Sequence, residues 1–129
     1  MGAAVTAVKQ AGIDVGAWVD ATEIDAQLPT GPFIGLVGNN AAEGPEHVIV
    51  GLEGLDDDLE CYVVEGGQLS KHGKGYRIAK GVYEFERRDP KNVWARRIGE
   101  PRWRRLRGYI DLEACVFSQR ATLPDDGAA

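Results

Sequence analysis

Residues 59–86, LECYVVEGGQLSKHGKGYRIAKGVYEFE, decide the architecture. Leu59, Cys61 and Val63 alternate with Glu60, Tyr62 and Val64, and Tyr76 and Ile78 alternate with Arg77 and Ala79. Further on, Tyr83 and Phe85 oppose Val82, Glu84 and Glu86. A period of two marks a strand with one buried face, because successive Cβ atoms leave a pleated backbone on opposite sides. Ala79-Lys80-Gly81 predicts a turn between two short strands, and the glycine-rich 66–75 predicts a hairpin loop. That loop lacks GxxxxGK[ST] spacing and leads into a strand, whereas a phosphate cradle opens a helix.

The same period extends to both sides. Phe33 to Val37 and His47 to Leu52 are short apolar runs separated by GNNAAEGPE, a loop composition. The cleanest alternation is the last: Ile110, Leu112, Ala114 and Val116 oppose Asp111, Glu113 and Cys115, with Tyr109 and Phe117 at the ends. It predicts a half-buried antiparallel strand with the first four residues inward. Toward the N-terminus, Ala3 to Ala11 predicts a short helix with Val5 and Val8 inward, stopped by Gly12. Asp20 and Glu23 have capping-box spacing, and Ile24 and Leu28 lie i, i+4, predicting a second short helix ended by Pro29.

The expected fold is therefore mainly β (α+β), a small antiparallel sandwich or partly open barrel with one or two short N-terminal helices. Residues 1–129 form a single domain, with a helical N-terminal segment at 1–30, an antiparallel β core at 31–118 and a polar tail at 119–129. A composition of 43% hydrophobic and 27% charged residues is that of a globular protein. Apolar runs fall far short of the roughly 20 residues that cross a bilayer, so no membrane partner is expected. The first residues lack the basic and hydrophobic regions of a secretory leader. Cys61 and Cys115 have no CxxC partner and read as packed thiols. The expected setting is the cytoplasm of a bacterial host, or a virion.

Charge singles out Arg87 to Arg107, which carries nine of the fifteen Lys and Arg residues with only Asp89 and Glu100 among them, in a chain of net charge −5. Segregation of this kind concerns partners rather than fold. Arg87, Arg88, Lys91, Trp94, Arg96, Arg97, Arg102, Trp103, Arg104, Arg105 and Arg107 are the candidate partner-binding residues. Arg and Trp together anchor protein interfaces, and the partner would be an acidic protein surface or other copies of the chain meeting head-to-tail. The same residue types contact phosphates and stack on bases, so nucleic acid is the alternative partner. Against it stands a sequence pI near 5.0, far from the basic range of such domains. The third reading is a solvated charged face.

Other sets carry less chemistry. Asp56, Asp57, Asp58 and Glu60 are oxygen donors without calcium-loop spacing, and read as a solvated turn. His47 and His72 have no zinc-like spacing to either cysteine. No Ser or Cys has a recognisable base. No metal, cofactor or catalytic residue is expected.

Residues 60–98 resemble part of a group of small β-rich proteins of phages and plasmids, at His72-Gly73, Tyr76 to Ala79, Lys80-Gly81 and Tyr83 to Arg88. The group's upstream Gly-His-x-His is half present, as Pro45-Glu46-His47. The resemblance covers about a third of the chain and names no activity. It implies a mobile-element origin and a binding or structural role. The functional expectation is a non-enzymatic module that self-associates through its basic Trp/Arg segment, such as a virion or assembly component.

Overall fold

The computed structural model describes residues 2–38, 47–69 and 76–115. The loop expected at 38–46 falls largely outside these residues, as do 70–75, Val116, Phe117, the polar tail and the side chain of Val5, whereas 66–69 of the loop expected at 66–75 are strand. Helix α1 (Gly2–Asp14) leads into strands β1 (Trp18–Asp20), β2 (Phe33–Val37), β3 (His47–Gly51), β4 (Glu60–Leu69), β5 (Tyr76–Asp89), β6 (Asn92–Arg97) and β7 (Arg104–Asp111). All seven join one antiparallel sheet in the order β1-β7-β2-β3-β4-β5-β6. A further β6–β7 pairing, through Trp94↔Arg105 and Ala95↔Arg104, closes six of them into a barrel. The mainly β expectation holds, and the form adopted is a closed barrel, neither a sandwich nor partly open. Strand β1 lies outside the ring, pairing with β7 beyond the point where β6 leaves it.

The N-terminal expectations need correction. Helix α1 runs through Gly12, whose bare Cα packs against the sheet: a Cβ there would lie 2.6 Å from Ile110 Cγ1. The stop comes at Gly16 (φ 71°), where Gly16 N donates to Ile13 O and Ala17 N to Gly12 O, a Schellman motif. The second helix does not form. Asp20 Oδ1 accepts from Thr22 N and Thr22 Oγ1, so it is spent on a tight turn and not on Glu23. Asp25 has φ 52°, and its N–H donates to Pro90 O. A helix of one or two turns contributes too little to compete with β1 pairing on β7. The segment 1–30 thus contains a strand as well as a helix.

Two strand expectations also change. Residues 79–81 make no turn: β5 continues through them, with Lys80 opposite Val64 and Gly81 opposite Val63 on β4. The last strand stops at Asp111, because its Oδ1 caps the backbone N–H groups of Glu113 and Ala114 and residues 112–115 turn helical. The inward face differs too. Register against β2 jumps from Leu36↔Gly108 to Val37↔Leu106, so Arg107 is the extra residue of a β-bulge. The bulge shifts the phase, and Leu106 and Tyr109 both join the core. Ile110 is buried outside the barrel against α1 and β1, and Leu112 and Ala114 are half-buried.

The barrel core is built from Phe33, Val37, Ile49, Cys61, Val63, Tyr83, Phe85, Val93, Ala95, Leu106 and Tyr109, with Ala21 from the turn that follows β1. Phe33 sits edge-on to both Phe85 (6.2 Å between centroids) and Tyr109 (5.9 Å). Leu106 is fully buried, so Leu106→Ala is expected to cost about 3 kcal/mol in urea denaturation. Half-buried Leu112→Ala should cost about 1 kcal/mol or less. The reverse order would show that the bulge phase is wrong.

Candidate functional site

The basic segment is barrel wall, not a projecting arm: it supplies the end of β5, all of β6 and the start of β7. Strand parity divides its side chains between two surfaces. On β5, Glu84, Glu86 and Arg88 face out, while Tyr83, Phe85 and Arg87 face in; on β6, Trp94 and Arg96 face out, while Val93, Ala95 and Arg97 face in.

On the outer surface, Arg88 lies over Trp94 (4.8 Å to the ring centroid) and over Trp103 (5.1 Å), and Arg96 lies over Trp103 (4.6 Å). Arg96 Nη2 donates to Glu84 Oε1 at 2.8 Å, directly across the β5–β6 ladder, and Arg88 Nε is 3.7 Å from Glu86 Oε2. Guanidinium groups over indoles, with Arg96 held by Glu84, form a half-exposed strip.

At the mouth of the barrel the inward residues build a different site. Glu65 continues the apolar phase of Cys61 and Val63 and is only 4% exposed. Tyr83 Oη donates to Glu65 Oε2, Arg97 Nη1 to Glu65 Oε1 at 3.3 Å, and His47 Nε2 stands 3.7 Å from Oε2. Burial alone would raise the Glu65 carboxyl. The nearby His47 imidazole, the hydrogen bond from Tyr83 and the charge of Arg97 outweigh it and hold the group below its usual range. Burial and donation to Glu65 push the Tyr83 hydroxyl upward. A carboxylate kept ionised and surrounded by donors is a poor proton acceptor and a good anchor. What it anchors is Arg97, whose Nη2 also donates to Lys80 O at 2.8 Å. The guanidinium lies over Gly81, where a Cβ would come within 2.7 Å of Nη2, so the glycine read as a turn residue makes space for an arginine. Above this set opens a cavity of about 370 Å³ whose walls include Ala95, Arg96, Glu100, Arg102 and Arg104.

The remaining candidates are scattered. Arg87 Nη2 donates to Ala26 O and Nη1 to Pro90 O, fastening the N-terminal segment beneath the barrel. Arg105 Nη2 donates to Lys91 O at 3.2 Å, Lys91 is exposed at the β5–β6 turn, and Arg107 occupies the bulge near Asp20. The structure therefore brings Arg88, Trp94, Arg96 and Trp103 together on one face and Arg97, Arg102 and Arg104 at the mouth. It gives Arg87, Arg105 and Arg107 positions in the scaffold.

Asp56 Oδ1 accepts from the N–H groups of Asp58 and Glu60, which makes the acidic triplet a rigid exposed turn. Cys61 is buried in the core, which pushes its thiol up to about 12, with Glu53 and Asp56 adding to the shift, and Cys115 is half-buried; both are free. Among the described residues no three His, Cys, Asp or Glu side chains gather as a metal site, and no helix is long and apolar enough to cross a membrane. His72 lies outside the described residues.

Glu65, Tyr83 and His47 were not among the residues that the sequence marks as functional. The signal was present in parity, since a carboxylate on the phase of Cys61 and Val63 must be buried and must find donors. No protein-family model matches the chain, and no curated protein or solved structure is significantly similar to it.

The depressed Glu65 carboxyl sets a pH dependence. Its contribution to stability is complete above the unfolded value of about 4.5 and is lost as pH falls through the lower folded value. Glu65→Gln should lower stability at pH 7 by about 3 kcal/mol, since it leaves Arg97 without its counter-charge. The gap from wild type should narrow as denaturation is repeated below pH 4.5. A gap that stays constant down to about pH 2 would show that Glu65 is not the ionised anchor.

Proposed function

We propose that the protein is a non-enzymatic interaction module whose docking face is the strip Arg88, Trp94, Arg96 and Trp103. The observation that carries this reading is the stacking of Arg88 and Arg96 on Trp103, at 5.1 and 4.6 Å, on a half-exposed surface. Indole and guanidinium groups are the residues that most often anchor protein interfaces, and holding them in place beforehand reduces the entropy lost on docking. The partner this face fits is acidic, and the chain carries a candidate of its own. Glu53, Asp56, Asp57 and Asp58 are exposed on the β3–β4 connection. Among the described residues Arg88 and Arg96 pair with Glu86 and Glu84, not with this acidic turn. Contact between the two surfaces on different copies would be head-to-tail, the geometry of rings and filaments. The resemblance to small phage and plasmid proteins would make a virion or assembly component the setting of such a module.

Sedimentation equilibrium at low and moderate salt tests the reading. Wild type should form oligomers that weaken as the Debye length shrinks to about 8 Å at 0.15 M. Arg88→Glu combined with Trp103→Ser should be monomeric and still folded, because exposed charges contribute little to stability. A variant with wild-type mass would overturn self-association. If that variant instead lost oligonucleotide affinity, with a duplex salt slope reduced by about 0.9 per contact, the strip would be a nucleic-acid face.

A further inference from the structure

The cavity at the barrel mouth has a charge arrangement that the fold does not complete. Four guanidinium groups and two carboxylates line it. Arg97 is tied to Glu65 and Lys80 O, and Arg96 to Glu84 outside the cavity. Arg104 is half-buried and close enough to Tyr83 for its charge to lower that hydroxyl. It makes no hydrogen bond or ion pair among the described residues. None of its nitrogens is buried without a partner, so water serves them, and an oxyanion would replace that water with a charge-assisted fork.

We infer that the mouth binds a small oxyanion, a carboxylate or phosphate group on a molecule that fits within about 370 Å³, with Arg104 as its principal donor. The Glu65–Tyr83–Arg97 set forms the fixed wall behind it: those three groups satisfy one another and hold the inner end of the cavity rigid. Volume and chemistry both restrict the ligand. Cavities of roughly 300–1,000 Å³ suit small molecules, and a lining dominated by charged side chains disfavours apolar ones. Glu100 on the same lining repels a polyanion and accepts from a hydroxyl or amino group, so a hydroxylated compound with a single anionic group fits best. The site shares Arg96 with the outer strip, but its principal donor, Arg104, is not part of that strip.

Titration calorimetry with lactate and with glycerol 3-phosphate distinguishes the carboxylate from the phosphate. One of the two should bind at one site per chain. Arg104→Gln should weaken it about ten-fold or more, as expected for loss of a charge-assisted hydrogen bond, while Lys9→Gln on the exposed side of α1 should leave it unchanged. Arg104→Lys, which keeps the charge and loses the fork, should fall between them. Amide shifts induced by the bound probe in wild type should centre on Tyr83 and Ala95, a readout that stands even if an Arg104 variant fails to fold. Absence of binding tighter than about 10 mM for either probe, or shifts confined to Arg88, Trp94 and Trp103, would overturn the assignment.

Discussion

Strand β7 has to satisfy three neighbours at once, and the rest of the structure depends on how it does so. Along one side it pairs with β2 from Leu106 to Asp111; along the other it meets β6 at its beginning and β1 at its end. A flat, regular strand cannot curve enough to close so small a ring. The extra residue at Arg107 supplies the bend, and with it a change of phase that turns Leu106 and Tyr109 to the same side. Phe33 packs edge-on to Tyr109, whose hydroxyl donates to Gln27 O at 2.7 Å and draws the N-terminal segment under the barrel. Core, closure and the placement of residues 21–32 therefore follow from a single bulge.

Closure also explains why so many arginines sit in one short stretch. The walls of a small barrel alternate strictly, so a basic run through β6 and β7 has to send every second cation inside. The interior takes Arg97 at one end, where Glu65 provides the opposite charge and Gly81 provides room, and Arg87 at the other, where the carbonyls of Ala26 and Pro90 accept from it. The cations sent outward meet Glu84 and Glu86 from β5. The separation of charge that is so marked along the sequence is thus partly neutralised across the ladder. What remains is orientation, with guanidinium groups stacked on two indoles on one surface and gathered at an opening on another.

The sequence made the class of fold legible, and most of its strands, because one-sided burial leaves a period of two that survives in Phe33–Val37, Glu60–Leu69 and Asn92–Arg97. It was misleading where a local signal competed with a distant partner. Ala79-Lys80-Gly81 has turn composition, but pairing with Val63 and Val64 keeps it extended. Asp20 and Glu23 have helix-capping spacing, but β7 recruits the preceding residues into a strand. The alternation of residues 109–117 is the most regular in the chain, and Asp111 interrupts it by capping a helical turn. The outer half of the site was legible as composition, an Arg- and Trp-rich run. The inner half was not, because Glu65, His47 and Tyr83 come from three strands and meet only when those strands pair.

Only two residue pairs join β6 to β7, so the latter half of β7 would be an open edge if β1 did not cover it. The three residues of β1 occupy Gly108, Tyr109 and Ile110, and α1 packs across the outside of the same strand. The N-terminal twenty residues therefore act as a stopper on the most adhesive part of the molecule. Proteolytic trimming beyond Trp18 would bare a run of unpaired N–H and C=O groups beside the apolar Ile110, a template for strand addition between molecules. A cleaved preparation would be prone to fibrillar aggregation even with its barrel core intact.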